Sequence, residues 1–350
     1  MSSILDSIVI GAGQAGLASA YYLQKKNLSF VVLEASEQTA GSWPHYYDSL
    51  TLFSPARYSS LPELTFPGDG DRYPKRDEVI SYLLDYAKHF QFPIQTGQRV
   101  SNVQSNNGIF QITTETGETF YAKTVISATG PFSSPYIPKI QGKEQFQGTI
   151  IHSSQYKNET PFQNQRVIIV GGGNSAVQIA YELAKVANVT LATRKPISFV
   201  PQRLFGKDVH FWLIISGIDR LSFAKSLATN TNVLDPGMYK QAIEEGKPDR
   251  RLMFTSFTED GVIWENGQAE KVDSVIFATG FKPNVPYLKS LTGAVDSLGN
   301  PMQKKGISQT IPGLYYVGLS GQRNFASATL RGVGSDAKYV VKHIKRFIKG

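Results

Sequence analysis

The chain has 350 residues, of which 41% are hydrophobic and 18% are charged, so it is long enough for two ordinary domains and too apolar to be disordered. It contains no cysteine, which excludes disulfides, thiolate metal sites and a cysteine nucleophile, and we expect no metal site. The net charge of +8 comes from scattered basic residues, so we do not expect nucleic-acid binding.

No stretch of the sequence approaches the roughly 20 apolar residues that a membrane span requires. The N-terminus also lacks the basic region and the cleavage pattern of a signal peptide. We therefore expect a cytoplasmic protein with no membrane partner.

The chain begins with a strand, a glycine-rich turn, a helix and a second strand. Apolar runs predict the strands over Ser7–Ile10 and Phe30–Leu33, and helical spacing predicts the helix over Leu17–Lys26. This order of elements is typical of a dinucleotide-binding βαβ unit.

The turn between the first strand and the helix carries a dinucleotide fingerprint. Gly11 permits a tight turn, Gly13 lets the backbone approach a pyrophosphate, and Gly16 lets the helix pack close to the strand. The N-terminus of the helix would offer free N–H groups to that anion. Glu34 ends the second strand, where a carboxylate can hold a ribose hydroxyl. The other predicted contacts in the turn are Gln14 and Ala15.

The next segment, Ala40–Lys75, is rich in Pro, Gly, Ser and aromatic residues and is predicted to be a long ordered loop, a kind of segment that is usually functional. An amphipathic helix is predicted over Asp77–Phe90. Four further strands are predicted over Gln98–Val103, Ile109–Thr114, Thr119–Tyr121 and Thr124–Ser127.

The same order of elements then recurs. Strands are predicted over Arg166–Val170, Val189–Ala192 and Ser274–Phe277, and a helix over Val177–Val186. The two halves therefore share an architecture, with little similarity of sequence.

The second fingerprint has Gly171 and Gly173 at its first two fixed positions and alanine at the third, followed by two basic residues where the first unit has Glu34. A guanidinium at Arg194, beside Lys195, can pair with a 2′-phosphate that a carboxylate would repel. The contrast predicts FAD or NAD at the first site and NADPH at the second, with NADH as an alternative. Arg194 and Lys195 could instead simply end a surface turn. The other predicted contacts are Asn174 and Ser175.

The predicted fold class is α/β, with two Rossmann-like dinucleotide-binding domains, the second inserted in the first. A polar stretch after residue 157 marks the predicted boundary. We expect an FAD-binding domain over residues 1–157 and 284–350 and an NAD(P)H-binding domain over residues 158–283.

A central signature lies just before this boundary. Phe146, Gly148, His152 and Tyr156 occupy the fixed positions of the F-x-G-x-x-x-H-x-x-x-[YFW] pattern, so the chain resembles the flavin-containing monooxygenases, which are class B flavoprotein monooxygenases. Three further segments resemble the bacterial subgroup associated with metal- and arsenic-resistance operons: residues 49–55, 73–79 and 327–337.

The resemblance implies positions for several cofactor contacts. Gly41 and Trp43 belong to an element that the family places near the flavin, and a helix starting near Ser335 would point its N-terminus at the flavin ring. Val100 completes the predicted cofactor contacts.

The resemblance also implies roles in catalysis. His152 would couple nicotinamide binding to the flavin. Ser54 stands where amine and sulfide monooxygenases usually carry an asparagine that holds the oxygenated flavin, and serine is a shorter donor. Loop 40–75 and the insert 199–255 are expected to line the substrate pocket, with Phe211 and Trp212 in the core.

The implied function is NADPH-dependent oxygenation of a soft nucleophile (a sulfide, an amine or a related small molecule) by dioxygen through a C4a-hydroperoxyflavin. One alternative is an FAD-dependent NADPH:acceptor reductase of the thioredoxin-reductase-like group without the disulfide. Another is a flavin-binding sensor or accessory protein. A homodimer is an oligomeric state compatible with each of these functions.

Overall fold

A computed structural model of the chain describes residues 3–130, 132, 134–220, 232–282 and 284–350. The helices are α1 (Gln14–Lys25), α2 (Arg76–Phe90), α3 (Asn174–Leu183), α4 (Val209–Ser216), α5 (Tyr239–Glu244) and α6 (Leu330–Lys349). The strands are β1 (Leu5–Ile10), β2 (Phe30–Leu33), β3 (Ile94–Gln95), β4 (Val100–Asn106), β5 (Ile109–Thr114), β6 (Thr119–Ser127), β7 (Thr149–His152), β8 (Arg166–Val170), β9 (Asn188–Thr193), β10 (Phe199–Pro201), β11 (Arg203–Leu204), β12 (Lys207–Asp208), β13 (Val233–Asp235), β14 (Asp249–Leu252), β15 (Ser256–Phe257), β16 (Gly261–Ile263), β17 (Ala269–Lys271), β18 (Ser274–Phe277), β19 (Gln303–Lys304), β20 (Ile307–Ser308) and β21 (Leu314–Tyr316).

The first sheet has a parallel centre with both faces buried. Its strand order is β19-β20-β21-β6-β1-β2-β3, and the run from β21 to β3 is parallel. Val9, Val32 and Ile126 point to the face covered by α1, α2 and α6. The neighbouring residues Ile8 and Val125 point to the opposite face, where the β4–β5 hairpin packs. Burial on both faces explains why these strands are continuous apolar runs.

The second sheet is parallel throughout, in the order β14-β9-β8-β18-β7. Val167 and Ile169 face α3, whereas Ile168 and Val170 face the antiparallel strands β15, β16 and β17. The predicted α/β class with parallel sheets is confirmed.

The order of strands along the chain shows how the two sheets are connected. The chain leaves the first sheet after β6, forms all strands of the second sheet, and returns to the first sheet with β19, β20 and β21. β7 precedes the predicted boundary at residue 157, yet it pairs with β18 in the second sheet. The division into 1–157 with 284–350 and 158–283 therefore separates β7 from the sheet that it joins.

Two local predictions were wrong. Residues 119–127 form one strand, β6, whose first half pairs with β5 and whose second half pairs with β1 and β21, so no turn separates Tyr121 from Thr124. Trp212 is not in the core: its side chain is 39% exposed, and its ring N–H donates to the Leu204 carbonyl at 3.0 Å. Among the described residues, no helix has the length and apolar character needed to cross a membrane.

Candidate cofactor and substrate site

The first fingerprint turn is held in place by close backbone packing. Gly11 has φ +101°, and a Cβ there would lie 2.9 Å from the Ala128 carbonyl oxygen at the end of β6. A Cβ on Gly16 would lie 1.8 Å from the Gly11 oxygen. The turn thus sits at the carboxyl ends of β1 and β6, where the strand order of the sheet reverses and where such folds bind ligands.

A second glycine contact brings loop 40–75 onto this turn. A Cβ on Gly41, which has φ +57°, would lie 2.8 Å from the Gly13 Cα atom. Ala40 donates its N–H to the Ala12 carbonyl at 3.3 Å. No side chain therefore separates the Gly41 loop from the turn.

Gln14 joins three distant segments at the start of α1. Its Oε1 accepts the Trp43 ring N–H at 3.1 Å, and its Nε2 donates to the Ala328 carbonyl, which precedes α6. Ala15 packs against Gly318, where an added Cβ would lie 2.7 Å from the Ala15 Cβ. The positions of Gln14, Ala15 and Trp43 agree with a site built around this helix end.

Glu34 is buried beside the turn. Its Oε2 accepts the Ala12 N–H at 2.6 Å, and its Oε1 accepts the Ser36 N–H at 2.9 Å. Each carboxylate oxygen can accept a further hydrogen bond. The residue therefore fixes the shape of the turn and can also receive a ribose hydroxyl.

The second fingerprint turn repeats this construction. Gly171 has φ +142°, and a Cβ there would lie 2.4 Å from the Ala278 carbonyl oxygen at the end of β18. Gly173 has open space around it, and Asn174 accepts the Leu234 N–H at 3.1 Å through its Oδ1. The Tyr47 hydroxyl from the first unit contacts Ser175 and donates to Gln178 at 2.5 Å.

Basic groups collect at the carboxyl end of β9. Arg194 and Lys195 follow that strand and are exposed. Arg250, on the neighbouring strand β14, donates from Nε to the Thr193 hydroxyl at 2.8 Å, and its buried Nη2 has no hydrogen-bond partner in the described part of the chain. Sequence reasoning missed Arg250, because the pairing of β14 with β9 cannot be read from the spacing of the residues.

The N-termini of α1 and α3 differ from those of the other described helices. Their N-cap residues, Gly13 and Gly173, provide no side-chain cap. At the N-terminus of each of the other four described helices, a side-chain oxygen accepts a backbone N–H. The oxygen belongs to Glu78 for α2, Asp208 for α4, Asp235 for α5 and Thr329 for α6. The uncapped N–H groups of α1 and α3 therefore fit the diphosphates of two dinucleotides.

The central signature is a packing unit around β7. A Cβ on Gly148 would lie 2.3 Å from the Phe146 ring and 2.6 Å from the Asp273 carbonyl oxygen, so only glycine fits. The Phe146 ring packs against Phe257 with 5.2 Å between centroids. Tyr156 is buried in the core of the second unit.

His152 is a buried residue with both ring nitrogens engaged. Its Nδ1 accepts the Ser154 N–H at 3.1 Å, so its Nε2 carries the proton and donates to the Gly280 carbonyl at 2.9 Å. Burial lowers the pKa of His152, although the Gly280 carbonyl opposes the shift. The residue fixes the turn that follows β18.

Stability should depend on pH through His152. Because its folded pKa is below the ordinary value of 6.5, its neutral form stabilises the fold above pH 6.5, and that contribution is lost as the pH falls from 6.5 towards the folded pKa. The variant His152→Gln can keep the hydrogen bond to Gly280 without titrating. Thermal unfolding between pH 7 and pH 5 should show a smaller loss of stability in His152→Gln than in the wild type. The exposed His45, changed to Gln, is the control, and equal slopes in all three proteins would refute the assignment.

Five aromatic rings form a continuous row from the first fingerprint turn to the turn that follows β18, and we call them the aromatic row. Successive ring centroids are 5.5 Å apart for Trp43 and Tyr46, 5.8 Å for Tyr46 and Phe132, 5.2 Å for Phe132 and Phe281, and 4.9 Å for Phe281 and His152. Trp43 contacts the start of α1, and His152 contacts the turn after β18. The row therefore extends from the first fingerprint turn, the candidate FAD cradle, to the turn after β18, which packs through the Ala278 carbonyl against Gly171 of the second fingerprint turn, the candidate NADPH cradle.

Two further predicted contacts lie in different surroundings. The Ser54 hydroxyl is 2.9 Å from the Ser59 hydroxyl, and the preceding Phe53 carbonyl accepts Nε2 of Gln202 at 2.6 Å. Val100 begins β4 and packs in the core on the face of the first sheet opposite the helices.

The prediction that a helix starts near Ser335 was wrong. Helix α6 begins at Leu330, with the Thr329 hydroxyl accepting the Gly332 N–H at 3.2 Å, and Ser335 lies in its second turn. In the structure a Cβ on Gly332 would lie 1.9 Å from the Ala326 oxygen, so glycine is needed for the helix to pack there.

Comparisons with known proteins agree with this geometry. The family model described as pyridine nucleotide-disulphide oxidoreductase matches residues 8–318. An uncharacterized CzcO-like oxidoreductase of Geobacillus kaustophilus is 34% identical over 348 residues, covering 98% of this chain and 99% of that protein. The flavin-containing monooxygenase of Stenotrophomonas maltophilia superimposes with a TM-score of 0.87 at 31% identity, covering 99% of both chains. The indole-3-pyruvate monooxygenase YUCCA1 of Oryza sativa is 29% identical, covering 97% of this chain and 91% of that protein.

The chain therefore belongs to the pyridine nucleotide-disulphide oxidoreductase family and, within it, to the flavin-containing monooxygenases. It is a flavin-dependent oxidoreductase of the monooxygenase type that uses FAD and NADPH, with a small-molecule substrate and dioxygen as its partners.

Proposed function

We propose that the chain takes hydride from NADPH and oxygenates a soft nucleophile, a sulfide or an amine. Bound FAD would supply the chemistry, as hydride acceptor and as the C4a-hydroperoxyflavin that delivers oxygen. The observation that carries the proposal is the pair of uncapped fingerprint helices joined by the aromatic row.

Each unit would bind one cofactor. In the first, the backbone around Gly13 and the N-terminus of α1 hold the FAD diphosphate, and Glu34 accepts a ribose hydroxyl. In the second, α3 holds the NADPH diphosphate through the turn at Gly173. We retain residues 1–157 with 284–350 as the proposed FAD-binding domain and 158–283 as the proposed NAD(P)H-binding domain, except that β7 is counted with the second because it pairs with β18.

The residues between the cradles would exclude water from the reacting groups. Burial raises the pKa of Tyr46, and burial lowers that of His152, so the aromatic row carries no charge at neutral pH. Phe132, the middle ring of the row, is 44% exposed, so a bound cofactor and substrate would have to cover it before the row could keep solvent from a transferred hydride.

Anaerobic reduction followed by oxygen mixing tests the proposal. The purified protein would be reduced with NADPH and mixed with oxygenated buffer in a stopped-flow spectrometer. A transient absorbance distinct from both oxidised and reduced flavin, whose decay is hastened by a sulfide or an amine, is expected. Direct return to oxidised flavin, with hydrogen peroxide equal to the NADPH consumed, would overturn the proposal and favour an acceptor reductase.

Cofactor selectivity should depend on Arg194. Because it follows β9 beside Arg250 and Lys195, we expect its guanidinium to pair with the 2′-phosphate of NADPH. Arg194→Ser should raise the KM for NADPH by about tenfold or more, since a charge-assisted hydrogen bond contributes about 1.5–3 kcal/mol, while the KM for NADH changes less than about twofold. Steady-state oxidation of both nucleotides measures this. Arg99→Ser is the matched exposed control, and equal effects on both nucleotides would contradict the assignment.

A further inference from the structure

Residues 199–219 form a segment of the second unit that reaches over the first, and we call it the cover segment. It includes β10, the β11–β12 hairpin and α4. Gln202 donates to the Phe53 carbonyl at 2.6 Å, and Asp219 pairs with Arg331 in the first turn of α6. Arg331 lies three residues after Ala328, whose carbonyl accepts a hydrogen bond from Gln14 at the start of α1. The cover segment therefore lies over the end of the first sheet that carries the FAD cradle.

A buried acid and a buried histidine meet in the cover segment. One oxygen of Asp208 accepts both the N–H of His210, at 2.8 Å, and its Nδ1–H, at 2.7 Å. The other oxygen accepts the Tyr73 hydroxyl at 2.6 Å. Burial alone would raise the pKa of Asp208, but the hydrogen bonds from His210 and Tyr73 hold it below its usual value. Burial and the Asp208 carboxylate raise the pKa of Tyr73 to about 12, so the tyrosine remains a donor.

This arrangement fixes the role of each nitrogen of the histidine. An ionised Asp208 holds the proton on Nδ1, so Nε2 carries the lone pair. The residue is 3% exposed, and no described residue forms a hydrogen bond with Nε2. The imidazole stacks on Phe53 at 6.2 Å and on Tyr58 at 6.5 Å, at interplanar angles of 19° and 28°. The oriented base, which lies on α4, thus packs against aromatic rings of the loop that contains Ser54.

Resting on the monooxygenase function proposed above, we propose that His210 accepts a proton from a nucleophile that arrives protonated, namely an ammonium or a thiol with an apolar substituent. In this step the N–H or S–H bond of the substrate breaks and its electron pair stays on nitrogen or sulfur. The proton forms the Nε2–H bond, and nothing is oxidised or reduced. The resulting imidazolium is stabilised by the adjacent Asp208 carboxylate. The freed electron pair is what an oxygen-transfer reaction requires.

Other charged and titratable groups surround the pair and contribute to its field. Lys207 and Arg203 lie on the β11–β12 hairpin, and Tyr58 lies on the facing loop. Tyr73 and Asp71 precede α2. Tyr73 forms a hydrogen bond with Arg203, and Asp71 interacts with Arg203 electrostatically. Arg203 interacts electrostatically with Asp208, which also accepts the hydrogen bond from His210.

The test compares two substrates that differ in whether they carry a proton to lose. In His210→Asn the amide can still donate to Asp208, but the basic Nε2 is absent. At pH 7 we expect kcat/KM for a primary alkylamine to fall by about 100-fold, since general-base catalysis contributes roughly 10²–10⁴-fold, and kcat/KM for a dialkyl sulfide to stay within about twofold. The amine rate of the variant should recover as the pH approaches the pKa of the amine. His210→Gln, with a non-basic amide, should behave alike, and the exposed His89→Asn should match the wild type.

Each contrary outcome has a distinct meaning. Equal losses for amine and sulfide, or an unchanged pH profile in the variant, would make His210 a purely structural residue and overturn the inference. A wild-type protein that oxygenates the sulfide but neither amine nor thiol would overturn the inference and leave the proposed function standing. A wild-type protein that oxygenates none of them would overturn the proposed function itself.

Discussion

Gly13→Ala is expected to remove FAD from the protein while leaving the fold intact. The backbone at Gly13, with φ −76° and ψ −174°, is one that alanine adopts readily, and the nearest atom to an added Cβ is 3.6 Å away. The methyl group would nevertheless separate the turn from the diphosphate. Losing one or two hydrogen bonds to a charged group costs about 3 kcal/mol or more, so FAD affinity should fall at least about 100-fold. Fluorescence titration of the apo-protein with FAD measures this.

Gly173→Ala is the reciprocal variant. Gly173 has φ −95° and ψ −178°, and an added Cβ would meet no atom within 4 Å. We expect this variant to retain FAD and to lose affinity for NADPH by a similar factor, measured by the NADPH dependence of anaerobic flavin reduction. The thermal midpoints of both apo-variants should stay close to the wild-type value, because neither position is crowded. Loss of FAD from Gly173→Ala, or retention of FAD by Gly13→Ala, would refute the assignment of one cofactor to each turn.

Gly148→Ala is expected to produce a large loss of stability. Its Cβ would lie 2.3 Å from the Phe146 ring and 2.6 Å from a backbone oxygen, so the start of β7 must move. Overpacking of a well-packed core costs about 1–3 kcal/mol and sometimes more, and we expect about 3 kcal/mol here because the carbonyl of Asp273 cannot rotate away. Urea unfolding measures the difference in the free energy of unfolding.

Phe146→Leu, combined with Gly148→Ala, separates the two clashes. A smaller side chain at 146 should recover part of the lost stability if the ring contact is responsible, and the remaining loss reports the clash with Asp273. A stability of Gly148→Ala within about 0.5 kcal/mol of the wild type would show that β7 does not pack as described.

The sequence predicted the elements that local patterns determine. Strands over Phe30–Leu33, Arg166–Val170 and Ser274–Phe277 were predicted with their observed bounds, because strands buried on both faces are short apolar runs with sharp ends. Both fingerprint helices were predicted to start three residues late. Their first turns carry Gly, Ala, Ser and Asn in place of the apolar spacing that marks a helix, and the glycine N-cap gives no side-chain signal.

What the sequence could not predict depends on contacts between distant segments. Arg250 reaches Thr193 because β14 pairs with β9, and no spacing encodes that pairing. The start of α6 was inferred from a family resemblance and was placed five residues late; contacts with Ala326 and Pro62 explain why glycines occupy its first turns. In the sequence, Asp208 resembles a helix cap and His210 an ordinary core histidine. Only the structure shows that Tyr73 donates to Asp208 and that Phe53 stacks on His210.

The path of the chain through the two sheets has a consequence for biosynthesis. β6 emerges from the ribosome with one edge of its second half unpaired, and its partner there, β21, is made only after the whole second sheet. At about 5–20 residues per second, this interval lasts on the order of ten seconds or more. The second sheet can form from the continuous run β7 to β18 during this time, whereas the first must wait for the C-terminal residues. A nascent chain stalled before residue 314 should therefore present a protease-resistant second unit beside a first unit that is still open to cleavage.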